Sequence, residues 1–157
     1  MRMRFLPSLA CLAWRLATHA LTPAVLASAA LAQTAPSAVE QAVLPLRHYY
    51  AAINQKNYAA AFAVWEKGED GKAVNGQSFA TFVGGFSDTA YVNLAIGEPG
   101  ETEGAAGSSF VEIPVVISAT STDGETRKFA GSYTMRSSNL AGDASWRIHS
   151  AKVKKLK

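Results

Sequence analysis

Few side chains in this sequence are of a type and spacing that could do chemistry. Tyr49, Tyr50 and Tyr133 offer hydroxyls that could orient a bound ligand by hydrogen bonding. His48 and His149 are the only histidines after residue 32, and a metal site needs more ligands close by than either has. Glu98, Glu101 and Glu103 share a loop with Gly97, Gly100, Gly104 and Gly107. A phosphate cradle leads into a helix and usually brings a Lys. This loop leads into a strand and is acidic, and its carboxylates lack the spacing of a calcium loop. Gly76-Gln77-Ser78-Phe79-Ala80 superficially resembles a nucleophile elbow, but no strand precedes it and Ala80 stands where Gly is needed. Ser78 therefore reads as a helix cap. No cofactor and no metal is expected from these patterns.

The N-terminus reads as a targeting segment. Arg2, Arg4 and Arg15 precede an uncharged, Ala- and Leu-rich run from Leu16 to Ala30, and Ala30-Leu31-Ala32 supplies small residues for cleavage before Gln33. The run is short and interrupted by Pro23, too short for a spanning helix of about 20 residues. Cys11 has only a short apolar stretch before it, and the expectation is that it leaves with the signal rather than carrying a lipid. The chain is thus expected to act in the periplasm or outside the cell, with no membrane anchor after cleavage.

Removing residues 1–32 changes the charge. Of 15 Lys and Arg, three precede Gln33, so 12 remain against 12 Asp and Glu. A near-neutral domain excludes nucleic-acid binding by bulk charge. The remaining 125 residues contain no cysteine, enough for one domain held by packing alone.

The elements that must position these side chains follow from periodicity. Ser37 and Glu40 fit a capping box, and Val39, Val43, Leu46, Tyr50 and Ile53 form one helical stripe. Pro45 within it predicts a kink or a fresh start. Asn54 is suited to close this helix in a left-handed conformation and Asn57 to cap a second, whose Tyr58, Phe62 and Trp65 share a face. Glu66–Gly76 reads as a loop. Ser78 caps a third helix that buries Phe79, Phe82, Val83 and Phe86. From Thr89 the period becomes two. Strands follow at Thr89–Ile96, Phe110–Thr120, Lys128–Arg136 and Ser145–Lys154, with Gly97–Gly107 a loop.

The hairpin at Thr122-Asp123-Gly124 can be set by register. A two-residue Asp-Gly turn would put Ile113 opposite Thr134. A three-residue loop pairs Ile117 with Phe129, Ile113 with Tyr133 and Val111 with Met135, with Gly124 left-handed. The second register matches apolar to apolar and is the one expected. It leaves Glu112, Thr134 and Arg147 in one outer row, and Pro114, Val116, Ala130 and Ala151 in a small, partly apolar outer patch.

Tyr49-Tyr50-Ala51-Ala52-Ile53-Asn54, then Asn57-Tyr58, Phe62 and Trp65, and the closing Trp146-Arg147-Ile148, resemble the nuclear transport factor 2-like superfamily, which includes ketosteroid isomerases and polyketide cyclases of the SnoaL type. The element order agrees over most of the chain after Gln33, the motifs over about 20 residues. The resemblance implies an α+β fold, a cystatin-like cone of three N-terminal helices packed on a curved antiparallel sheet of about four strands. It implies a pocket lined by Tyr49, Tyr50, Phe62, Trp65, Phe82, Phe86, Ile113, Tyr133 and Trp146. In the isomerases a Tyr and a protonated Asp stabilise an oxyanion and a second Asp moves the proton. Alignment puts the Tyr at Tyr49, but Ala73 stands at the base position, and the inward strand positions carry no carboxylate.

The expectation is therefore a non-catalytic module for a small apolar ligand or a protein partner. A small lyase or isomerase would need Tyr49 as hydrogen-bond donor beside Asp88 or Glu112. A homodimer through the outer sheet face is the third expectation.

Overall fold

Ser37 opens helix α1 (Ala38–Asn54) as a capping box: its N–H donates to Glu40 Oε2 at 2.7 Å, and Glu40 N–H donates back to Ser37 Oγ at 3.2 Å. The computed structural model describes residues 35–139 and 145–157, all within one compact unit. The targeting segment, the cleavage point before Gln33 and Cys11 lie outside the described residues. Among those described, no helix is long and apolar enough to cross a membrane.

Helix α1 runs through Pro45 without a fresh start. Proline removes only one internal hydrogen bond, and the buried stripe continues across it, with Ala42 before it and Leu46, Tyr50 and Ile53 after it. The closing residue differs from expectation. Lys56, not Asn54, takes the left-handed conformation at φ 59°. Asn54 is instead engaged with the sheet: its Oδ1 accepts from Val92 N–H at 2.7 Å and its Nδ2 donates to Val92 O at 2.8 Å. A side-chain amide that completes a strand's hydrogen bonds cannot also serve the helix end. Helices α2 (Tyr58–Ala63) and α3 (Phe79–Gly84) are capped by Asn57 and Ser78, whose side chains accept from Ala60 and Thr81 N–H.

Among the described residues five antiparallel strands follow: β1 (Thr89–Ile96), β2 (Glu103–Ala105), β3 (Ser108–Ser121), β4 (Thr126–Ser138) and β5 (Arg147–Lys155). Their order is β1-β3-β4-β5, with β2 paired to β3. The extra strand lies inside the segment read as a loop. Ala106 and Gly107 both have positive φ, the geometry of a two-residue hairpin turn, which folds Glu103 back onto Phe110.

The β3–β4 register is the expected one. Ile117 faces Phe129, Ile113 faces Tyr133 and Val111 faces Met135, and Gly124 has φ 88°. The β4–β5 register departs from strict alternation. Thr134 faces Ser150 but Met135 faces Ile148, so His149 is an extra residue, a bulge. Two expected rows change as a result. Arg147 lies beside Arg136 rather than in the Glu112–Thr134 row, and Ala151 faces Tyr133, off the Pro114–Val116–Ala130 patch.

Beyond β5, residues 64–66 run alongside it. Ile148 N–H donates to Val64 O, and Glu66 N–H donates to Ile148 O, both at 2.9 Å. The core fills the side of the sheet that α1 covers, with Leu46, Ile53, Phe82, Ile113, Met135 and Ile148 almost fully excluded from solvent.

Candidate functional site

The aromatic residues expected around a pocket meet at the centre of the core. Tyr50 Oη and Tyr133 Oη share a hydrogen bond of 2.6 Å. The Tyr49 ring packs edge-on against Tyr50 at 4.8 Å and approaches Phe82 at 6.1 Å and Tyr133 at 6.4 Å between centroids. Trp65 and Phe62 are buried beside them, Ile113 is fully buried, and Phe86 is half-buried against Phe82 and stacked on Tyr58. Burial pushes the Tyr49, Tyr50 and Tyr133 hydroxyls above their ordinary range, so all three stay protonated near neutral pH. The Trp65 ring meets the Tyr49 ring edge-on at 6.4 Å between centroids, and its buried Nε1 has no hydrogen-bond partner.

The carboxylates that an isomerase reading would need are elsewhere. Glu112 is exposed on the outer face and accepts from Ser132 Oγ at 2.5 Å. Asp88 is exposed and lies 3.8 Å from Arg127. Ala73 is buried in an isolated bridge with Lys67, which gives the Glu66–Gly76 loop more order than its composition suggests.

A polar cluster that the sequence did not disclose lies on the outer side, where the His149 bulge meets residue 66. Glu66 Oε2 shares a 2.7 Å hydrogen bond with His149 Nδ1, and its Oε1 pairs with Arg136. Arg136 also donates from Nε and Nη2 to the buried Ser108 Oγ at 3.0 and 2.9 Å. The His149 ring meets Phe110 edge-on at 5.7 Å. A carboxylate that orients an imidazole is an element of acid–base sites. Here Arg136 occupies the carboxylate's other oxygen, which makes the cluster a tie between the 64–66 edge and the sheet. Glu66 follows the aromatic motif directly, but only the bulge brings His149 to it.

Among the described residues a groove of about 240 Å³ is bordered by Tyr50, Asn54, Tyr91 and Leu94, and a larger open one, of about 720 Å³, lies where α1, the end of α2 and the approach to β5 meet. Helix α1 contributes Gln41, Leu44, Pro45 and His48. The end of α2 contributes Ala60, Ala63 and Val64, and the approach to β5 contributes Ser145, Trp146 and Arg147. The lining is mainly apolar, and its volume falls in the range of small-molecule sites. Of the nine residues expected to line a pocket, only Trp146 borders this groove. Two cations close the C-terminal end of α2 at its rim. Lys67 Nζ donates to Phe62 O at 2.6 Å and sits over the Phe62 ring, and Arg147 Nη1 donates to Ala63 O at 3.3 Å. Burial, and then the charge of Arg147, lower the Lys67 amine to about 8. Among the described residues no group of three or more His, Cys, Asp or Glu is arranged to hold a metal.

No family model and no curated protein matches the chain. Solved structures do. A candidate dehydratase of the nuclear transport factor 2-like family from Streptomyces avermitilis superposes with a TM-score of 0.53 at 12% identity, over 76% of this chain and 96% of that one. A candidate scytalone dehydratase from Novosphingobium aromaticivorans superposes with a TM-score of 0.55 at 10% identity, over 74% and 83%. A candidate aromatic ring hydroxylase from the same organism gives 0.55 at 12% identity, over 79% and 93%. At such identities the likeness is one of fold, and the fold is the nuclear transport factor 2-like one.

Proposed function

We propose that the protein is a nuclear transport factor 2-like binding module, working in the periplasm or outside the cell, that holds a small, largely apolar ligand without transforming it. The observation that carries this reading is the groove formed by α1, the end of α2 and the approach to β5, with Trp146 and Leu44 in its walls. Among its described lining residues the only titratable side chains are His48 and Arg147, which do not make an acid–base pair of the kind proton transfer uses. The tyrosines at the centre of the core act in this reading as its polar pins rather than as catalysts.

Native mass spectrometry of the folded chain after incubation with a periplasmic extract tests the proposal. A retained small molecule that is lost in an Ala63→Trp variant, where the new indole fills the groove, is the expected result. An unliganded protein, or retention unchanged by Ala63→Trp, would overturn it.

A second reading rests on the outer sheet face, where Tyr91 is 55% exposed and Val116 is 46% exposed. In the sheet rows Val116 lies between Ala95 and Ala130, and Pro114 is in the next row. A homodimer through this patch is the proposal. Light scattering on a sizing column should give twice the monomer mass for the wild type and the monomer mass for Val116→Glu. A wild type that is monomeric at high concentration refutes it.

A further inference from the structure

Charge on the outer sheet face is gathered at the β4–β5 end of its rows. Val116 pairs across with Ala95 and Ala130, and Ala130 pairs with Lys154. The row on one side runs Pro114, Ser132, Lys152, and the row on the other runs Ser118, Lys128. Residues two apart on a strand share a face, so Lys128, Lys152 and Lys154 stand in three adjacent rows on the side opposite the core. Leu156, 46% exposed, is fixed beside them, because its N–H donates to Lys128 O at 2.8 Å. All three lysines are exposed, and among the described residues none of them forms an ion pair. Glu112, in the row beyond Pro114, has its Oε1 bonded to Ser132 Oγ. Lysine on an edge strand also discourages pairing with a stray strand. That accounts for Lys152 and Lys154 on β5, but not for Lys128 on the interior strand β4 or for the exposed Val116 and Leu156.

We propose that this face docks on an anionic lipid surface, with Lys128, Lys152 and Lys154 at the headgroup phosphates and Val116 and Leu156 at the boundary with the acyl chains. Clustered lysines draw the face to negative headgroups, and exposed apolar side chains among them give it area to bury on arrival. A second copy would instead bring the same cations against themselves, with Glu112 the carboxylate that each copy's rows offer in return. Between the two occupants the charge favours lipid. The docking is peripheral, since no helix among the described residues is long and apolar enough to span a membrane. It competes with the dimer reading for one face and is independent of the groove.

Co-sedimentation of the full chain with phosphatidylcholine vesicles, and with vesicles that also contain phosphatidylglycerol, tests this. Residues 1–32, with Arg2, Arg4 and Arg15, are common to every variant, so the readout is the difference between variants. The wild type should partition more onto the mixed vesicles than onto the neutral ones, and added salt should weaken the preference. Lys128→Gln, Lys152→Gln and Lys154→Gln should each lower partitioning onto mixed vesicles about fivefold, and about a hundredfold together. Val116→Glu should lower it as well. If the triple variant does not fold, the single variants and the salt series decide. Equal partitioning of the wild type onto both kinds of vesicle overturns the proposal. So does binding to mixed vesicles that the triple variant retains in full. Displacement by soluble glycerol phosphate at the lipid's own concentration makes the face a site for free phosphate and overturns the lipid surface. A wild type that stays in the supernatant, and forms a dimer that Val116→Glu dissolves, gives the face to a second copy and overturns it too.

Discussion

Tyr50 Oη and Tyr133 Oη lie 2.6 Å apart in the buried core, although 83 residues separate them in the chain. One comes from α1 and the other from β4, so a single hydrogen bond joins the helical layer to the middle of the sheet. Each hydroxyl satisfies the other away from water.

Tyr50→Phe should destabilise the fold by about 1–3 kcal/mol, because the Tyr133 hydroxyl stays buried without its partner. Tyr50→Phe combined with Tyr133→Phe should cost less than the two single changes together, since no orphan remains. Denaturant titration of the three variants measures this, and additive costs would show the bond contributes nothing.

Asn54→Ala removes the side chain that pairs with both backbone groups of Val92. The expected loss is about 1–3 kcal/mol, with faster amide exchange at Val92 than at Leu94. Exchange at Val92 unchanged from the wild type would refute the role assigned to Asn54.

Gly131→Ala should be among the most damaging single-methyl additions. A Cβ at position 131 would lie 1.9 Å from the Lys152 carbonyl oxygen, a backbone atom of the adjacent strand. The β4–β5 pairing must open to admit it, at a cost of about 1–3 kcal/mol or more. A thermal melt within a degree or so of the wild type would contradict the close approach.

The Lys67 amine should titrate near 8, held down first by burial and then by Arg147. Trace acylation should therefore label Lys67 ahead of ordinary lysines at pH 8, where its free-amine fraction is on the order of a hundredfold larger. Its rate should rise with a midpoint near 8. Arg147→Gln should move that midpoint upward, though not fully to the ordinary value, because burial remains. The sign for stability follows. Between about 8 and the ordinary lysine value the folded chain holds fewer protons than the unfolded one, so this group's contribution favours folding increasingly as pH rises through that window. A midpoint at the ordinary value in the wild type would refute the assignment.

Much of the fold was legible in the sequence because it depends on neighbours. The Ser37–Glu40 box, the Asn57 and Ser78 caps and the hairpin loop ending at Gly124 each act within a few residues. The β3–β4 register followed from alternation, since a slip of one residue would turn Val111, Ile113, Val115 and Ile117 away from the core. The His149 bulge was not legible. No glycine or proline marks it, and its consequences are tertiary: Ala151 moves to the Tyr133 row and His149 meets Glu66.

Element order, the inward apolar faces and the aromatic set that makes the core can be read from the chain alone, because helical and strand periods record which face must leave water. Tertiary structure alone decided where the open surface lies. The expected aromatics pack against one another at the centre, and the groove arises where α1, the end of α2 and the approach to β5 do not fill the space between them. A concavity is a property of what distant segments fail to cover, and no local pattern in any one of them encodes it.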